Sequence, residues 1–338
     1  MDEPLRLRKA TIRDVAERAG VSKSLVSLVL RGSPQVGEAR RRAVEEAMAE
    51  LGYRPNLQAR GLSRARSDLV GVLLHGLRNP WFVDLLEGLS ATLHASGLEP
   101  VLVDTDTDQR VGRHSVETLL RRGVDGFVQV GTTTAHEALA LAAEVAPVVL
   151  AGTREPHLAR VDVVVDDDLA GSRSAAEHLV ALGHQRIAHL RGTGDVGDLR
   201  LAGYREVLSG AGLDPDRYDE SGGASEESGY AAARRLLALP DRPTAIFAFN
   251  DIAAVGVLSA AADLGLDVPG DLSVVGYDNT YLARIRHLSL TSVDNGNVAV
   301  GVQAARFLAD RLERPGLPAR LHVVGTRLVV RGSTAAAP

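Results

Sequence analysis

The sequence predicts an α/β protein with a small N-terminal three-helix head and a larger body of two doubly wound, parallel-sheet sub-domains. Apolar residues recur with helical spacing over residues 11–51. Beyond Asp68 eight short apolar runs alternate with helical segments: "LVGVLL", "EPVLVD", "VDGFVQV", "APVVLAG", "RIAHLRG", "AIFAFN", "LSVVGYD" and "LTSV". Charge divides at the same place, with 14 Lys and Arg against 8 Asp and Glu in residues 1–66 and a net of −11 over residues 67–338. A basic head on an acidic body suits local contact with phosphates.

The composition is that of a globular protein, with 45% hydrophobic and 24% charged residues in a chain of 338. The opening stretch "MDEPLRLRKATIRD" has no apolar run before its charges, and later apolar runs have the length of strands. We therefore expect no signal peptide, no membrane span and a cytoplasmic location. The lack of cysteine excludes disulfides, thiolate metal sites and cysteine nucleophiles.

The first predicted helix begins after Thr11, which stands at capping-box distance from Asp14. Its inward face carries apolar residues at positions i, i+3, i+4 and i+7, namely Ile12, Val15, Ala16 and Ala19. Gly20 is expected to end this helix in a tight turn.

Two more helices complete the predicted head. Ser22 can cap the second, whose inward residues are Val26, Val29 and Leu30. The third is expected from about Glu38 to Leu51, with Gly52 as its stop and with Val44, Ala47, Met48 and Leu51 facing inward. Three short helices around one small core predict a helix-turn-helix domain.

The outward face of the second helix carries Lys23, Ser24, Ser27 and, nearer its edge, Leu28. In helix-turn-helix domains the N-terminal residues of this helix enter the major groove of DNA. Any three-helix bundle would show the same periodicity, so the alternative is a head without DNA contacts. The basic balance of the head favours DNA binding.

The stretch "YRPNLQARGLSRARS", residues 53–67, together with "TIRDVAERAGVS" and "AELG", resembles the lactose/galactose repressor (LacI/GalR) family of bacterial transcription regulators. The family's hinge pattern Asn-x-x-Ala-Arg-x-Leu stands here as Asn56, Ala59, Arg60 and Leu62. The resemblance implies a hinge helix that folds only on the operator, with Leu62 wedged into the minor groove. So short a segment is too small to hold a helix alone, and an apolar wedge kinks the duplex. The alternative is an ordinary polar linker.

The resemblance also implies a set of DNA-contacting residues: Thr11, Ser22, Lys23, Ser24, Ser27, Leu28, Arg31, Tyr53, Asn56, Arg60 and Leu62. The second helix departs from the family pattern, because the family commonly has Thr-Val-Ser-Arg where this chain has Leu-Val-Ser-Leu at residues 25–28. Losing that arginine removes a bidentate contact to guanine, and a leucine can only pack, for example on a thymine methyl. We therefore expect DNA binding at an unusual operator.

The resemblance extends over nearly the whole body, through the landmarks "NPWF", "LGHQRIAHL", "RLAGY", "FAFNDIAAVGVL", "VVGYDN" and "LTSV". It implies the fold of periplasmic sugar-binding proteins, crossed three times by the chain. The expected divisions are a head of residues 1–55, a hinge of 56–67 and a body of 68–338, with sub-domains of about 68–161 plus 294–318 and about 162–293 plus 319–332.

Ligands of open α/β sheets bind beyond the carboxyl ends of the strands. The resemblance assigns effector binding to five residues near such ends: Trp81, Phe82, Arg200, Asn250 and Asp278. An aromatic face can pack on a sugar ring, and guanidinium, amide and carboxylate groups can orient hydroxyls. The alternatives are that Trp81 and Phe82 are core residues at a helix start and that Asp278 caps a turn.

Two other patterns could indicate a dinucleotide site or a metal site. "GTGDVG", residues 192–197, fits the dinucleotide-binding spacing G-x-G-x-x-G, with Asp216 near the distance of a ribose-binding acid. It lies in the second half of the body rather than in the first βαβ unit, and the resemblance makes it a cleft wall. Ten histidines are present without metal-ligand spacing, and we expect structural or hydrogen-bonding roles for His184 and His189.

Together these patterns predict a ligand-responsive transcription regulator, most simply a repressor, with no catalytic activity, cofactor or metal. A single head reads one half-site, so a homodimer on a palindromic operator is expected. Effector binding is expected to change the angle between the sub-domains and the separation of the two hinges. A sugar or sugar derivative is the effector most often implied, and a nucleobase stays open. The alternatives are a solute-binding protein and a nucleotide-dependent enzyme.

Overall fold

A computed structural model of the chain describes residues 10–30, 33, 35–53 and 66–338. The chain divides into two compact units between Ser67 and Asp68. We call the first unit the head and the second the body.

The head contains three helices, α1 (Ile12–Arg18), α2 (Lys23–Leu30) and α3 (Glu38–Glu50). The predicted capping box is present, because the Thr11 hydroxyl accepts from the Asp14 N–H and the Asp14 carboxylate accepts from the Thr11 N–H. Gly20 takes a φ of 64° in the turn between α1 and α2, a conformation that favours glycine.

The head core is built from the predicted inward faces, with Val15, Val26 and Val44 fully buried at its centre. The prediction was wrong for Leu51, which is 37% exposed. Helix α3 ends at Glu50, so Leu51 occupies the C-cap, where the backbone turns away from the buried stripe.

The body has two lobes, each built on one six-stranded sheet. The first lobe has a wholly parallel sheet in the order β11-β5-β4-β3-β1-β2. Its strands are β1 (Leu69–Leu74), β2 (Glu99–Asp104), β3 (Gly126–Val130), β4 (Val148–Ala151), β5 (Asp162–Asp166) and β11 (Leu321–Val324). Its helices are α4 (Trp81–Ala95), α5 (Thr105–Arg110), α6 (Ser115–Arg121), α7 (His136–Val145) and α13 (Asn297–Glu313).

The second lobe has strands in the order β12-β10-β9-β8-β6-β7, all parallel except the β10–β12 pair. Its strands are β6 (Ile187–Arg191), β7 (Asp219–Ser221), β8 (Ala245–Phe247), β9 (Ser273–Tyr277), β10 (Thr291–Asp294) and β12 (Arg327–Val329). Its helices are α8 (Asp168–Ala181), α9 (Gly194–Gly210), α10 (Glu226–Leu237), α11 (Asp251–Asp263) and α12 (Tyr281–Arg284).

The sheets differ from the predicted sub-domain boundaries, which gave residues 162–293 and 319–332 to the second sub-domain. Strands β5 and β11 belong to the first sheet, where Leu321 pairs with Val163 in a parallel register. The prediction overlooked "DVVVD", because its apolar run is only three residues long between two aspartates. The three crossings follow β5, β10 and β11, and these crossings bring the carboxyl ends of both sheets together.

Close helix packing positions one wall of the cleft between the lobes. Helices α4 and α13 meet where a Cβ at Gly88 would overlap the Val298 carbonyl and one at Gly301 would overlap that of Leu85. Both helices therefore lie backbone against backbone on the first sheet. The first residue of α4, Trp81, comes after β1, and the first residue of α13, Asn297, comes just after the crossing that follows β10.

Candidate functional site

A cavity of about 510 Å³ lies between the two lobes, within the size range of small-molecule sites. Many of its lining residues end a strand or follow one within three residues, among them His75, Gly131, Gly152, Asp166, Thr193, Phe249, Asn250, Asp278 and Asn295. All five effector residues predicted from the sequence line this one cavity: Trp81, Phe82, Arg200, Asn250 and Asp278. The first two come from one lobe and the other three from the other.

Trp81 and Phe82 form an aromatic wall at the start of α4, with ring centroids 5.2 Å apart and an edge-to-face arrangement. The Trp81 ring lies over Gly152, where a Cβ would overlap it, and the Asn79 side chain accepts from the Trp81 N–H at 3.0 Å. Both aromatic residues also belong to the core of the first lobe. They are therefore core residues at a helix start, as the alternative interpretation proposed, and they also form part of the cavity wall.

Arg200 on α9 is the buried cation of the cavity wall, with a side chain only 5% exposed. Its Nε donates to Asp168 at 2.9 Å and its Nη1 to the Phe249 carbonyl at 2.7 Å. The guanidinium carbon lies 3.5 Å from the centre of the Tyr277 ring. Burial by itself lowers the pKa of Arg200, but Asp168, Tyr277, Asp278 and Asp166 together outweigh it, and the net pKa is raised. Arg200 is thus a permanent, rigidly held charge.

Asp166, at the end of β5, lines the same cavity and is buried. The Tyr277 hydroxyl of the second lobe donates to its carboxylate at 2.9 Å, which joins the two lobes at the cavity floor. Burial raises the pKa of Asp166 and the charge of Asp168 adds to this, so that the pKa is about 7 despite Arg200 and Tyr277. This carboxyl group therefore changes protonation near neutral pH.

Asp278 follows β9 with a φ of 97°, in the left-handed region that a non-glycine residue seldom adopts. The Asn295 amide donates to its carboxylate at 3.2 Å, and the Asn297 amide donates to its backbone carbonyl at 3.0 Å. Burial raises the pKa of Asp278 well above its usual value, although Arg200 opposes the shift. Two asparagines thus hold Asp278 in a strained conformation that faces the cavity.

Asn250 is the N-cap of α11, where its side-chain oxygen accepts from the Ala253 N–H at 2.9 Å. Its amide nitrogen donates to the Ala224 carbonyl at 3.3 Å. Its oxygen is therefore engaged in the fold, and one N–H of its amide is the group that it can offer to a ligand.

Several lining residues were not identified from the sequence, among them His75, Arg78, Asp166, Glu226, Glu227, Phe249 and Asn295. Phe249 stands one residue before Asn250 in the quoted "FAFNDIAAVGVL", and Asn295 follows "LTSVD" directly, so position after a strand was an available signal. Glu226 and Glu227 had no such signal, because the short strand β7 was not predicted.

The glycine-rich stretch "GTGDVG" forms the turn after β6 and the start of α9. A Cβ at Gly192 would overlap the Phe249 ring, and one at Gly197 would overlap the backbone of Gly192. Thr193 and Val196 of this stretch line the cavity. Its glycines thus serve close packing in the cleft wall.

The two landmark histidines make hydrogen bonds inside the second lobe. His184 Nδ1 lies 2.9 Å from the Thr244 hydroxyl, and His189 Nδ1 lies 3.0 Å from the Phe247 carbonyl. Burial lowers the pKa of His189 to about 4, so its ring is neutral and stacks on Phe247 at 4.6 Å. The predicted hydrogen-bonding roles are confirmed for both residues.

Ion pairs join the lobes outside the cavity lining. Arg154 follows β4 of the first lobe, and its backbone N–H donates to Asp195 of the second lobe at 3.0 Å. Its guanidinium lies 3.6 Å from Asp168, the partner of Arg200. Elsewhere Arg284 of α12 donates to Asp84 of α4 at 3.1 Å. These polar contacts can exchange with solvent if the lobes reorient.

In the head, the predicted DNA-contacting residues divide by exposure. Thr11, Ser22, Lys23 and Ser24 are exposed, and Ser22 accepts from the Leu25 N–H at the start of α2. Ser27, Leu28 and Tyr53 are half-buried. The predicted contacts Arg31, Asn56, Arg60 and Leu62, together with most of the predicted hinge, lie outside the described residues.

The leucines that replace family-typical polar residues in α2 are partly accounted for by packing. Leu25 and Leu28 are half-buried and both pack against the head core. Lys23 and Ser24 keep the N-terminal end of α2 polar and exposed. The leucines therefore leave a polar surface at the end of the helix that would enter a groove.

No helix in the described part of the chain is long and apolar enough to cross a membrane.

Residues 11–56 match the model for bacterial regulatory proteins of the lacI family, and residues 176–334 match the model for a periplasmic binding protein-like domain. The chain is 35% identical over 329 residues to the ribose operon repressor of Escherichia coli (strain K12), covering 96% of this chain and 99% of that repressor.

Two solved structures are similar over almost the whole chain. One is the lac repressor dimer bound to operator and the anti-inducer ONPF, with a TM-score of 0.82, 29% identity, and coverage of 97% of this chain and 100% of that one. The other is the complex of the transcriptional regulator CelR with cellobiose, with a TM-score of 0.71, 32% identity, and coverage of 96% and 100%.

Proposed function

The chain belongs to the lacI family of bacterial regulatory proteins, and we propose that it represses transcription from a palindromic operator under the control of a sugar-like effector. It is a sequence-specific DNA-binding regulator and not an enzyme. The observation that carries the effector proposal is the convergence of five predicted residues from both lobes on one cavity.

The cavity suits a polyhydroxylated ring. Trp81 and Phe82 supply an aromatic face on the first lobe, and Arg200, Asn250 and Asp278 supply polar groups on the second. A ring held between them contacts both lobes at once, so its binding energy depends on the angle between the lobes. The names of two relatives, the ribose operon repressor and the regulator bound to cellobiose, agree with a sugar.

Effector control follows from that dependence. A ligand that fits one angle between the lobes better than another shifts the population toward that angle. In a homodimer, the angle would set the separation of the two hinge segments and so their ability to fold on the operator. Polar contacts such as Arg154–Asp168 and Arg284–Asp84 would be remade as the angle changes.

On DNA, the exposed N-terminal end of α2 would enter the major groove with Lys23 and Ser24 at the bases or phosphates. Leu62 of the hinge would wedge into the minor groove. The homodimer would place two heads on the two half-sites of the palindrome. We assign the protein to the cytoplasm, where the operator is found.

Selection of bound duplexes from a random DNA pool with the full-length protein tests the operator proposal. We expect a palindromic site and a loss of affinity of about 10- to 100-fold with Leu62→Ala, the cost of one specific contact. The double variant Lys23→Ala/Ser24→Ala should lose affinity by about 1–3 kcal/mol, and the control Glu45→Ala, on the exposed side of α3, should not. Absence of an enriched site, or binding indifferent to the double variant, contradicts the proposal.

Thermodynamic linkage between effector binding and operator binding provides a test of effector control that needs no further structure determination. If the effector weakens operator binding, the operator must weaken effector binding by the same factor. Trp81 is the single tryptophan of the chain and lines the cavity, so its fluorescence can report effector binding with and without operator DNA. Equal effector affinity in both conditions would remove the allosteric part of the proposal.

A further inference from the structure

We infer that the cleft selects an uncharged, hydroxyl-rich ring ligand and discriminates strongly against its phosphorylated form. The inference rests on the proposed function, since it concerns the effector held in the same cavity. It specifies the charge and the hydrogen-bonding character of that effector, two properties that neither the family nor the relatives' names decide.

The first observation is that the buried cation is already paired with an acidic side chain of the protein. Arg200 already donates to Asp168 and to the Phe249 carbonyl, and its Nη2 lies 3.9 Å from the Asp278 carboxylate. Asp168 therefore compensates its charge before any ligand arrives. A phosphate group would have to share the arginine with this aspartate.

The second observation is the balance of charge around the cavity. Among the described lining residues, the buried part holds the carboxyl groups of Asp166 and Asp278 and the guanidinium of Arg200. The exposed part holds Glu226 and Glu227 on the second lobe and Arg78 on the first. Acidic side chains outnumber arginines in the lining, so a dianion would gain no net electrostatic attraction there.

The third observation concerns hydrogen-bonding direction. Asn295 is 1% exposed and lines the cavity, its amide nitrogen donates to Asp278, and its side-chain oxygen has no hydrogen-bond partner among the described residues. A buried acceptor of this kind is costly to leave unpaired. Together with the carboxylates of Asp166 and Asp278, it presents acceptors to the ligand, which a hydroxyl group can satisfy and a phosphate oxygen cannot.

The aromatic wall completes the assignment. Trp81 and Phe82 offer an apolar surface to the face of a ring. The acceptors lie at the carboxyl ends of β5, β9 and β10. The fitting ligand is a ring with one apolar face and hydroxyl groups at its edge. A sugar or a nucleoside without phosphate has this chemistry.

Titration of the full-length protein with matched pairs tests the inference, with Trp81 fluorescence and calorimetry as readouts. The probes are D-ribose and D-ribose 5-phosphate, D-glucose and D-glucose 6-phosphate, cellobiose and cellobiose 6-phosphate, and adenosine and AMP. We expect an uncharged member to bind and its phosphorylated counterpart to bind at least 100-fold more weakly. Binding of a phosphorylated member as tight as that of its partner overturns the inference, and so does a panel without any uncharged binder.

A variant separates charge selection from simple shape. Asp278→Asn keeps the size of the side chain and removes its ability to ionise, so the affinity ratio of uncharged to phosphorylated probe should fall by about tenfold or more. The control Asp263→Asn, exposed at the end of α11, should leave the ratio unchanged. An unchanged ratio in Asp278→Asn would show that shape alone excludes the phosphate.

Operator selection with the same preparation distinguishes the two possible failures. If the protein enriches a palindrome but binds a phosphorylated ligand, the regulator proposal stands and the charge inference fails. If it binds an uncharged ring but enriches no DNA, the cleft is assigned correctly and the operator proposal fails.

Discussion

The two ends of strand β5 place two buried aspartates in opposite electrostatic situations. Asp162 lies at the start of the strand and Asp166 at its end. The Asp162 carboxylate accepts from Arg311 Nε at 2.9 Å and from Arg320 Nη2 at 2.9 Å, and the Arg320 backbone N–H adds a further bond at 2.9 Å. Among the described side chains, Tyr277 alone donates to Asp166, at 2.9 Å.

The pKa values record the difference. Burial would raise the pKa of Asp162, but hydrogen bonds from Arg311 and Arg320 outweigh burial and lower it. At Asp166 burial and the nearby Asp168 prevail, and the pKa rises to about 7. The structural carboxylate of Asp162 is fully paired with arginines. The carboxyl group of Asp166, which faces the cavity, keeps oxygen lone pairs free for a ligand, and this costs stability.

Removal of the paired aspartate should have the largest effect. Asp162→Ala leaves the buried Arg311 guanidinium, 6% exposed, without its carboxylate, and we expect a loss of about 3–5 kcal/mol in the free energy of unfolding. Urea unfolding of the body followed by circular dichroism measures it. A loss below about 1 kcal/mol would mean that Leu317 and Pro318, whose carbonyls also accept from Arg311, suffice to hold the arginine.

Neutralisation of the cleft aspartate should act in the opposite direction. Because the pKa of Asp166 is raised, the native protein keeps the carboxyl proton between about pH 4 and pH 7, whereas the unfolded chain has already released it. Its contribution to stability is therefore full below pH 4 and is lost as the pH rises through about 7. Asp166→Asn should raise the free energy of unfolding by about 1–3 kcal/mol at pH 8 and reduce its fall between pH 5 and pH 8.

Parallel unfolding curves at pH 5 and pH 8 check this prediction. Asp162→Asn is the matched control at the other end of the strand, because its parent carboxylate is ionised at both pH values and the substitution should destabilise at both. If Asp166→Asn is equally destabilised at pH 5 and pH 8, the cleft carboxyl does not carry the assigned proton.

Loss of the Tyr277 hydroxyl that donates to Asp166 should have a smaller effect. Tyr277→Phe keeps the ring that lies on Arg200 and removes the hydroxyl, so we expect a cost of about 1–2 kcal/mol. The cost should be greater at pH 8 than at pH 5, since a hydrogen bond to an ionised carboxylate is the stronger one. A cost independent of pH would assign it to packing.

An outer member of the Asp162 network should matter least. Asp310 accepts from Arg320 at 2.9 Å but is 42% exposed, and Arg320 keeps its bonds to Asp162 without it. Asp310→Ala should therefore change the free energy of unfolding by about 0.5 kcal/mol or less. A loss as large as that of Asp162→Ala would show that the network acts as one unit.

Local sequence patterns were sufficient to predict much of the fold. The capping box of Thr11 and Asp14 forms as predicted, because cap and helix are neighbours in sequence. Eight apolar runs became strands β1–β4, β6 and β8–β10. Strands β5, β7, β11 and β12 were not predicted. Strand β7 has no apolar residue, and each of the four is defined by pairing with a neighbour that is distant in sequence.

The sequence by itself determined the family, the two-part architecture and five cavity residues, because each stands in a recognisable local motif. The tertiary structure decided which sheet receives β5, and hence that Asp166 faces Tyr277 across the cleft while Asp162 is enclosed by two arginines. Arg311 and Arg320 lie about 150 residues from Asp162 along the chain. Charge balance depends on distances in space, which no local pattern encodes.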